Sequence, residues 1–124
     1  MLKQKSSSAI VAVKDMARAR AFYRDILGLA VADDSMSDAV MTFHTGDTVL
    51  IVYRSKFAGT NKANAVVWGV GNEIETITQS LKDKGVTFEH YDDMARDGDV
   101  HTGGSMKMVW FKDPDGNILH LNNM

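Results

Sequence analysis

The stretch Trp110-Phe111-Lys112-Asp113-Pro114-Asp115-Gly116-Asn117-Ile118-Leu119-His120-Leu121 decides how the rest of the chain is read. It contains the only proline, set between two aspartates and followed by Gly116-Asn117, so it spells a strand, a tight turn and a second strand. Strand alternation puts Ile118 and His120 on one face of the second strand and Leu119 and Leu121 on the other. A histidine is thereby placed among apolar neighbours, and its role is the main functional question.

Working outward, the 124 residues suit one domain, 1–124, whose core buries about two thirds of the unfolded surface. Hydrophobic residues make up 44% and charged residues 24%, and the net charge of −2 gives no reason to expect nucleic acid or an anionic membrane as partner. There is no cysteine, which removes disulfides, thiolate metal sites and a cysteine nucleophile and fits a cytoplasmic protein. No apolar run approaches the roughly 20 residues that span a bilayer. The basic, serine-rich opening Met1 to Ser8 is followed by an apolar run too short for a signal-peptide core.

In chain order, Ala9 to Val13 is a short β-branched run that suits a strand. Asp15 is placed to cap a helix in which Met16, Ala19, Phe22, Tyr23, Ile26 and Leu27 form one apolar face, and Gly28 stops it. Leu29 to Ala32, Val40 to His44 and Thr48 to Tyr53 read as strands, the last two joined through Thr45-Gly46-Asp47. Arg54 to Asn64 is linker-like in composition. Ala65 to Val70 is a strand, and Asn72 with Glu75 resembles a capping box for a second helix carrying Ile74, Ile77 and Leu81 and ending at Gly85. Val86 to Tyr91 reads as a strand and Asp92 to Gly104 as a long irregular loop. Met106 to Phe111 and Asn117 to Leu121 close the chain as the hairpin quoted above.

Each half therefore reads βαβββ. Val13 and Val70, before the two helices, are offset by 57 positions, and the helix-ending Gly28 and Gly85 share that offset. Aligning Gly46-Asp47 with Asp115-Gly116 raises it to 69, so the second half carries extra residues, which the loop at 92 to 104 absorbs. Neither half covers its own sheet, so the two halves are expected to pair.

Val13-Lys14-Asp15 followed by Ala21-Phe22-Tyr23-Arg24-Asp25-Ile26-Leu27-Gly28-Leu29, with Trp110 to Asn117 and the repeat, resembles the vicinal oxygen chelate superfamily. That superfamily includes glyoxalase I, extradiol dioxygenases, and fosfomycin and bleomycin resistance proteins. The resemblance implies an α+β fold of two βαβββ modules, about 8–54 and 65–122 with a linker at 55–64, whose curved mixed sheets enclose a cleft. It also implies a homodimer. Its metalloenzymes hold a divalent ion with His, Glu or Gln on four inner strand positions, which fall here on Ser8, Ile51, Ala65 and His120. Only His120 is a good ligand, so no metal and no other cofactor is expected.

Alternation then lists an apolar, adaptable lining for the cleft: Ser8, Ile51, Tyr53, Val67, Met106, Met108, Trp110 and His120, with Ile10, Ala12, Val49 and Ala65 alongside. Such a surface suits a small apolar or aromatic molecule stacked on Trp110 and oriented by His120, Tyr53 or Ser8. The leading expectation is a metal-independent small-molecule-binding protein. The alternative is an isomerase, lyase or dioxygenase-like enzyme using His120 as general acid or base, with Tyr53 as partner, or as a metal ligand.

Bland readings stand beside these. His120 could be a satisfied core histidine, Met106, Met108 and Trp110 plain core, and the cleft collapsed. His44 sits beside a turn and is expected to be exposed. His90 and His101 with Asp92, Asp97 and Asp99 lack tight ligand spacing, while Arg96, His101 and Lys107 suit a lid. No Ser-His-Asp order or phosphate loop occurs, and Gly69-Val70-Gly71 lacks the rest of a dinucleotide fingerprint.

Overall fold

The computed structural model describes residues 1–124. The chain divides into two compact units, Met1–Thr60 and Asn61–Met124, with the boundary inside the linker-like segment.

In the first unit, β1 (Ala9–Val13) leads into α1 (Met16–Arg20). The Asp15 carboxylate accepts the Arg18 N–H at 3.0 Å, satisfying one of the free donors at the helix start. The helix continues as a π-helical turn over Ala21–Ile26. The expected apolar face is buried at Met16, Ala19, Phe22 and Tyr23, whereas Ile26 and Leu27 are half-buried. Gly28, at φ 76, supplies the left-handed exit.

Strands β2 (Ala30–Asp33), β3 (Val40–Thr45) and β4 (Thr48–Arg54) complete a sheet of order β1-β4-β3-β2, parallel only between β1 and β4. The strand residues Val11, Val13, Met41, Phe43, Leu50 and Val52 are all buried, and Tyr23 stands 6.0 Å from Phe43 between ring centres. Each such side chain taken from water contributes about 1.5 to 3 kcal/mol. The alternate residues form the sheet's less covered face. Ile10 pairs in register with Ile51 and Ala12 with Tyr53, and Ile10 is 58% exposed.

The second unit repeats this plan with an insertion. Strand β5 (Asn64–Gly69) is followed by a 3-10 turn, Gly71–Glu73, and α2 (Ile74–Asp83). The expected capping box is not formed, because no side chain caps this helix. Glu75 turns instead to the Lys107 ammonium, and the Met124 carbonyl takes the Gly71 N–H at 3.0 Å. Strands β6 (Ala95–Asp97), β7 (Val100–Gly103), β8 (Met106–Lys112) and β9 (Ile118–Asn122) give a sheet of order β5-β9-β8-β7-β6, parallel only between β5 and β9.

Two expectations change here. The strand read at Val86 to Tyr91 is reduced to one bridge, Phe88 to Phe111, beside the Glu89 N–H donating to the Trp110 carbonyl at 2.8 Å. It is short because β7 occupies the rest of the same edge of β8, pairing at Met106, Lys107 and Met108. The irregular loop read at 92 to 104 is largely the β6–β7 hairpin, turned at Gly98 with φ 61.

Residues Val109, Phe111, Leu119 and Leu121 lie buried on the face covered by α2, whose own buried residues are Ile74, Thr78 and Leu81. The closing hairpin is pinned by Asp113, 4% exposed. Its carboxylate accepts the Asp115 and Asn117 N–H groups, each at 2.9 Å, and the Asn117 side-chain amide at 2.8 Å.

Candidate functional site

The face of the second sheet opposite α2 is built by register. Val67 on β5 stands beside His120 on β9, which stands beside Trp110 on β8. The next row runs Asn122, Met108, His101. Of the residues expected in a site, the second unit therefore brings together His120, Trp110, Met108 and Val67 on one face, with Met106 further along β8 beside Gly103. Ile51 and Tyr53 share the corresponding face of the first sheet, half-buried and 38% exposed respectively, and Ser8 is exposed just before β1.

Aromatic rings fill the centre of this face. Trp110 and His120 are stacked, with ring centres 4.7 Å apart and planes 20° from parallel. Tyr91 and His101 meet Trp110 nearly at right angles, at 5.0 and 5.2 Å. Trp110 and His120 are 8% and 9% exposed and His101 is fully covered, whereas Val67 is 58% exposed. Trp110 is thus already packed by protein rings on this face, which differs from the free stacking platform that strand alternation suggests.

Hydrogen bonding fixes the His120 tautomer. Its Nδ1 lies 3.1 Å from the Val109 carbonyl, which only accepts, so Nδ1 carries the proton and Nε2 presents a lone pair. The Asn122 carboxamide is oriented because its oxygen accepts the Met124 N–H at 3.1 Å, and its nitrogen stands 3.5 Å from His120 Nε2. Burial pushes the His120 imidazole below its ordinary pKa, partly opposed by the Val109 hydrogen bond. His120 is accordingly a neutral base at pH 7, with its basic nitrogen only loosely engaged.

Asn122 and Tyr91 lie outside the residues that the sequence singles out for this site, and His101 enters it from a different expected role. Asn122 was legible, since it lies two positions beyond His120 on the same strand face. The expectation of a loop metal site or a lid for His101 is corrected: it is a core residue of β7, its Nε2 accepting the Tyr91 N–H at 2.9 Å. Asp97-Gly98-Asp99 is the turn that would have exposed the hairpin. His90, also considered for a metal site, pairs with Asp99 at 2.8 Å, and Lys82 reaches the same carboxylate at 3.1 Å. His44 is exposed, as expected.

A model of the glyoxalase/bleomycin resistance protein/dioxygenase superfamily matches residues 6–121. The chain belongs to this superfamily. Among solved structures, UcmS2 superposes with a TM-score of 0.78 at 19% identity, covering 99% of this chain and 100% of that one. The fosfomycin resistance protein FosX from Listeria monocytogenes gives 0.76 at 18% identity, covering 99% and 92%. Lactoylglutathione lyase from Agrobacterium tumefaciens gives 0.73 at 17% identity, covering 98% and 95%. These likenesses establish a shared fold. No curated protein matches by sequence.

The divalent ion that the superfamily implies finds a poor donor set in this member. Ser8, Ile51 and Ala65 stand at three of the four expected ligand positions, and no three His, Cys, Asp or Glu side chains are grouped to hold one ion. The side chain that stands against His120 Nε2 is an amide, Asn122 at 3.5 Å. No helix of this superfamily member is long and apolar enough to cross a membrane.

Proposed function

We propose that this protein is a proton-transfer enzyme of isomerase or lyase type, in which His120 acts as general acid and base on a small, uncharged, flat molecule without a resident divalent ion. The observation that carries the reading is the polarisation of His120. Nδ1 is committed to the Val109 carbonyl, and Nε2 is left as a lone pair beside a single amide donor, in a buried aromatic cleft. A general base needs that tautomer and a pKa near or below the working pH. In such a step Nε2 takes a proton from a carbon next to an electron-withdrawing group. The imidazolium returns the proton elsewhere on the same molecule, which is an isomerisation, or hands it to a group that departs from the neighbouring carbon with its bonding pair, which is an elimination. Asn122 supplies a hydrogen bond to the reacting group and does not carry a proton itself.

One of the similar structures lends this reading support, since it is named a lyase. The donor set at Ser8, Ile51 and Ala65 supports the metal-free part. Elemental analysis of purified protein is expected to find no stoichiometric divalent metal. About one tightly held Ni, Zn, Fe or Mn per chain, lost in His120→Ala, would overturn that part.

A second reading, binding without turnover, is favoured by one observation: His120 has no carboxylate or second base to relay a proton, only Asn122. The two are separated by incubating the protein in deuterium oxide with neutral aryl ketones that carry hydrogen on the carbon next to the carbonyl. Enzyme action incorporates deuterium or converts the compound, and His120→Gln lowers the rate by roughly a hundred- to ten-thousandfold while leaving binding in place. Complete recovery of a bound compound, unlabelled, leaves sequestration as the function.

A further inference from the structure

His101 holds a hydrogen-bond donor with nothing to receive it. Its Nε2 accepts the Tyr91 N–H, so the ring proton resides on Nδ1, and that nitrogen is buried without a partner. A buried donor left unpaired costs about 1 to 3 kcal/mol, and native proteins leave few of them. This one lies in the same cluster as His120, with Trp110 against both rings.

We propose that His101 is a recognition residue of this site, its Nδ1–H donating to a neutral carbonyl oxygen at one end of a flat, conjugated molecule whose other end lies against His120. The inference rests on the proposed role of that site and adds the class of ligand. The acceptor is neutral because Tyr91, Met108, Trp110, His120 and Asn122 offer no permanent positive charge, and the one cation paired in register with His101, Arg96 on β6, turns its guanidinium to the Gly98 carbonyl at 2.8 Å. A carboxylate placed among them would lose its hydration with no counter-ion in return. The molecule is flat because the walls are rings. It is extended because His101 and His120 sit on β7 and β9 with β8 between them, roughly 10 Å apart at the usual strand spacing. An aromatic ring plus a carbonyl group spans that separation by lying over Trp110, whose own ring touches both histidines.

Met108 is the side chain that yields. It is the register partner of His101 and half-buried, and its terminal methyl lies 3.5 Å from where a Cβ on Gly103 would stand. An unbranched thioether rotates away at low cost, and Gly103 provides no side chain to block it. A bland role for the same N–H, pointing at the Trp110 ring that meets His101 at 83°, is a second-order contact. It predicts no response to a carbonyl ligand.

The test uses the full chain, labelled with 15N, and two probes of nearly equal shape: acetophenone, and α-methylstyrene, in which the carbonyl is replaced by a methylene. Acetophenone is expected to bind about tenfold more tightly and to shift the His101 Nδ1–H resonance, and His101→Phe is expected to abolish the preference. If that variant does not fold, the wild-type probe pair and the His101 resonance decide alone. Equal binding of the two probes, or acetophenone shifting His120 while His101 stays unmoved, overturns this inference and leaves the His120 reading intact. Binding of neither probe, with both histidines unmoved, overturns the carbonyl-ligand assignment and counts against the small-molecule site as well.

Discussion

Trp110 and His120 lie directly across from each other on β8 and β9, their rings stacked at 4.7 Å, so the indole both shields the imidazole from water and fixes its plane. The Val109 carbonyl fixes its tautomer from the side. Together these turn a strand histidine into an oriented neutral base, which is why its titration is the first property to measure.

The sign of that titration follows from burial. The folded pKa of His120 is below the unfolded value of about 6.5, so between the two the unfolded chain binds more protons. The contribution is present in full above about pH 6.5 and is lost as pH falls through the folded pKa. Urea midpoints measured from pH 8 to 5 should therefore decline on the acid side for the wild type, more steeply than for His120→Gln. Parallel curves would show that His120 is not desolvated in the folded chain.

Removing the shield should move the same pKa the other way. Trp110→Leu lowers stability by about 2 kcal/mol, through lost area and lost ring contacts. It also admits water to His120, so the imidazole pKa, followed by NMR titration, rises toward its ordinary value. A variant that loses stability while His120 titrates unchanged would place the desolvation elsewhere.

Most of the fold was legible in the sequence, because its punctuation is local chemistry. Asp15, Gly28 and the Asp113-to-Asn117 turn act through their own backbone neighbourhoods, and strand alternation correctly put His120 and Trp110 on one face and Leu119 and Leu121 on the other. What was missed depends on partners far along the chain. Val86 to Tyr91 has strand composition but meets an edge that β7 already occupies. Glu75 has a capping position but finds Lys107, 32 residues away, instead of its own helix start. His101 sat in a segment rich in glycine and charge, whose hairpin character shows only once Gly98 is recognised as its turn. The candidate site was consequently half read: one imidazole and its indole were named, but not the amide and the second imidazole beside them.

The signature turn makes a structural prediction independent of function. Asp113 is buried and accepts three hydrogen bonds from Asp115 and Asn117. Asp113→Ala strands two backbone donors and one amide, and should cost roughly 2 to 4 kcal/mol by urea denaturation. Asn117→Ala removes one partner only, and should cost about half as much. Equal losses in the two variants would mean that the turn is held by Gly116 and Pro114 and not by this carboxylate.

The β6–β7 hairpin is tied at its turn by Asp99, which receives His90 and Lys82. The His90 hydrogen bond is the main reason the Asp99 carboxyl titrates below its usual range, with Lys82 adding to the effect. The tie is therefore present above about pH 3.9 and is lost as pH falls through the lower folded value. Lys82 is well exposed, so the pair is partly screened and Asp99→Asn should cost only about 1 kcal/mol. Its effect should be local: faster amide hydrogen exchange across residues 95 to 103, with the closing strands β8 and β9 unchanged. Because His101 lies on this hairpin, the same variant should broaden the His101 ring signals without altering the pKa of His120. A matching change at His120 would mean that the two imidazoles are coupled through Trp110, and that the hairpin sets the state of the base.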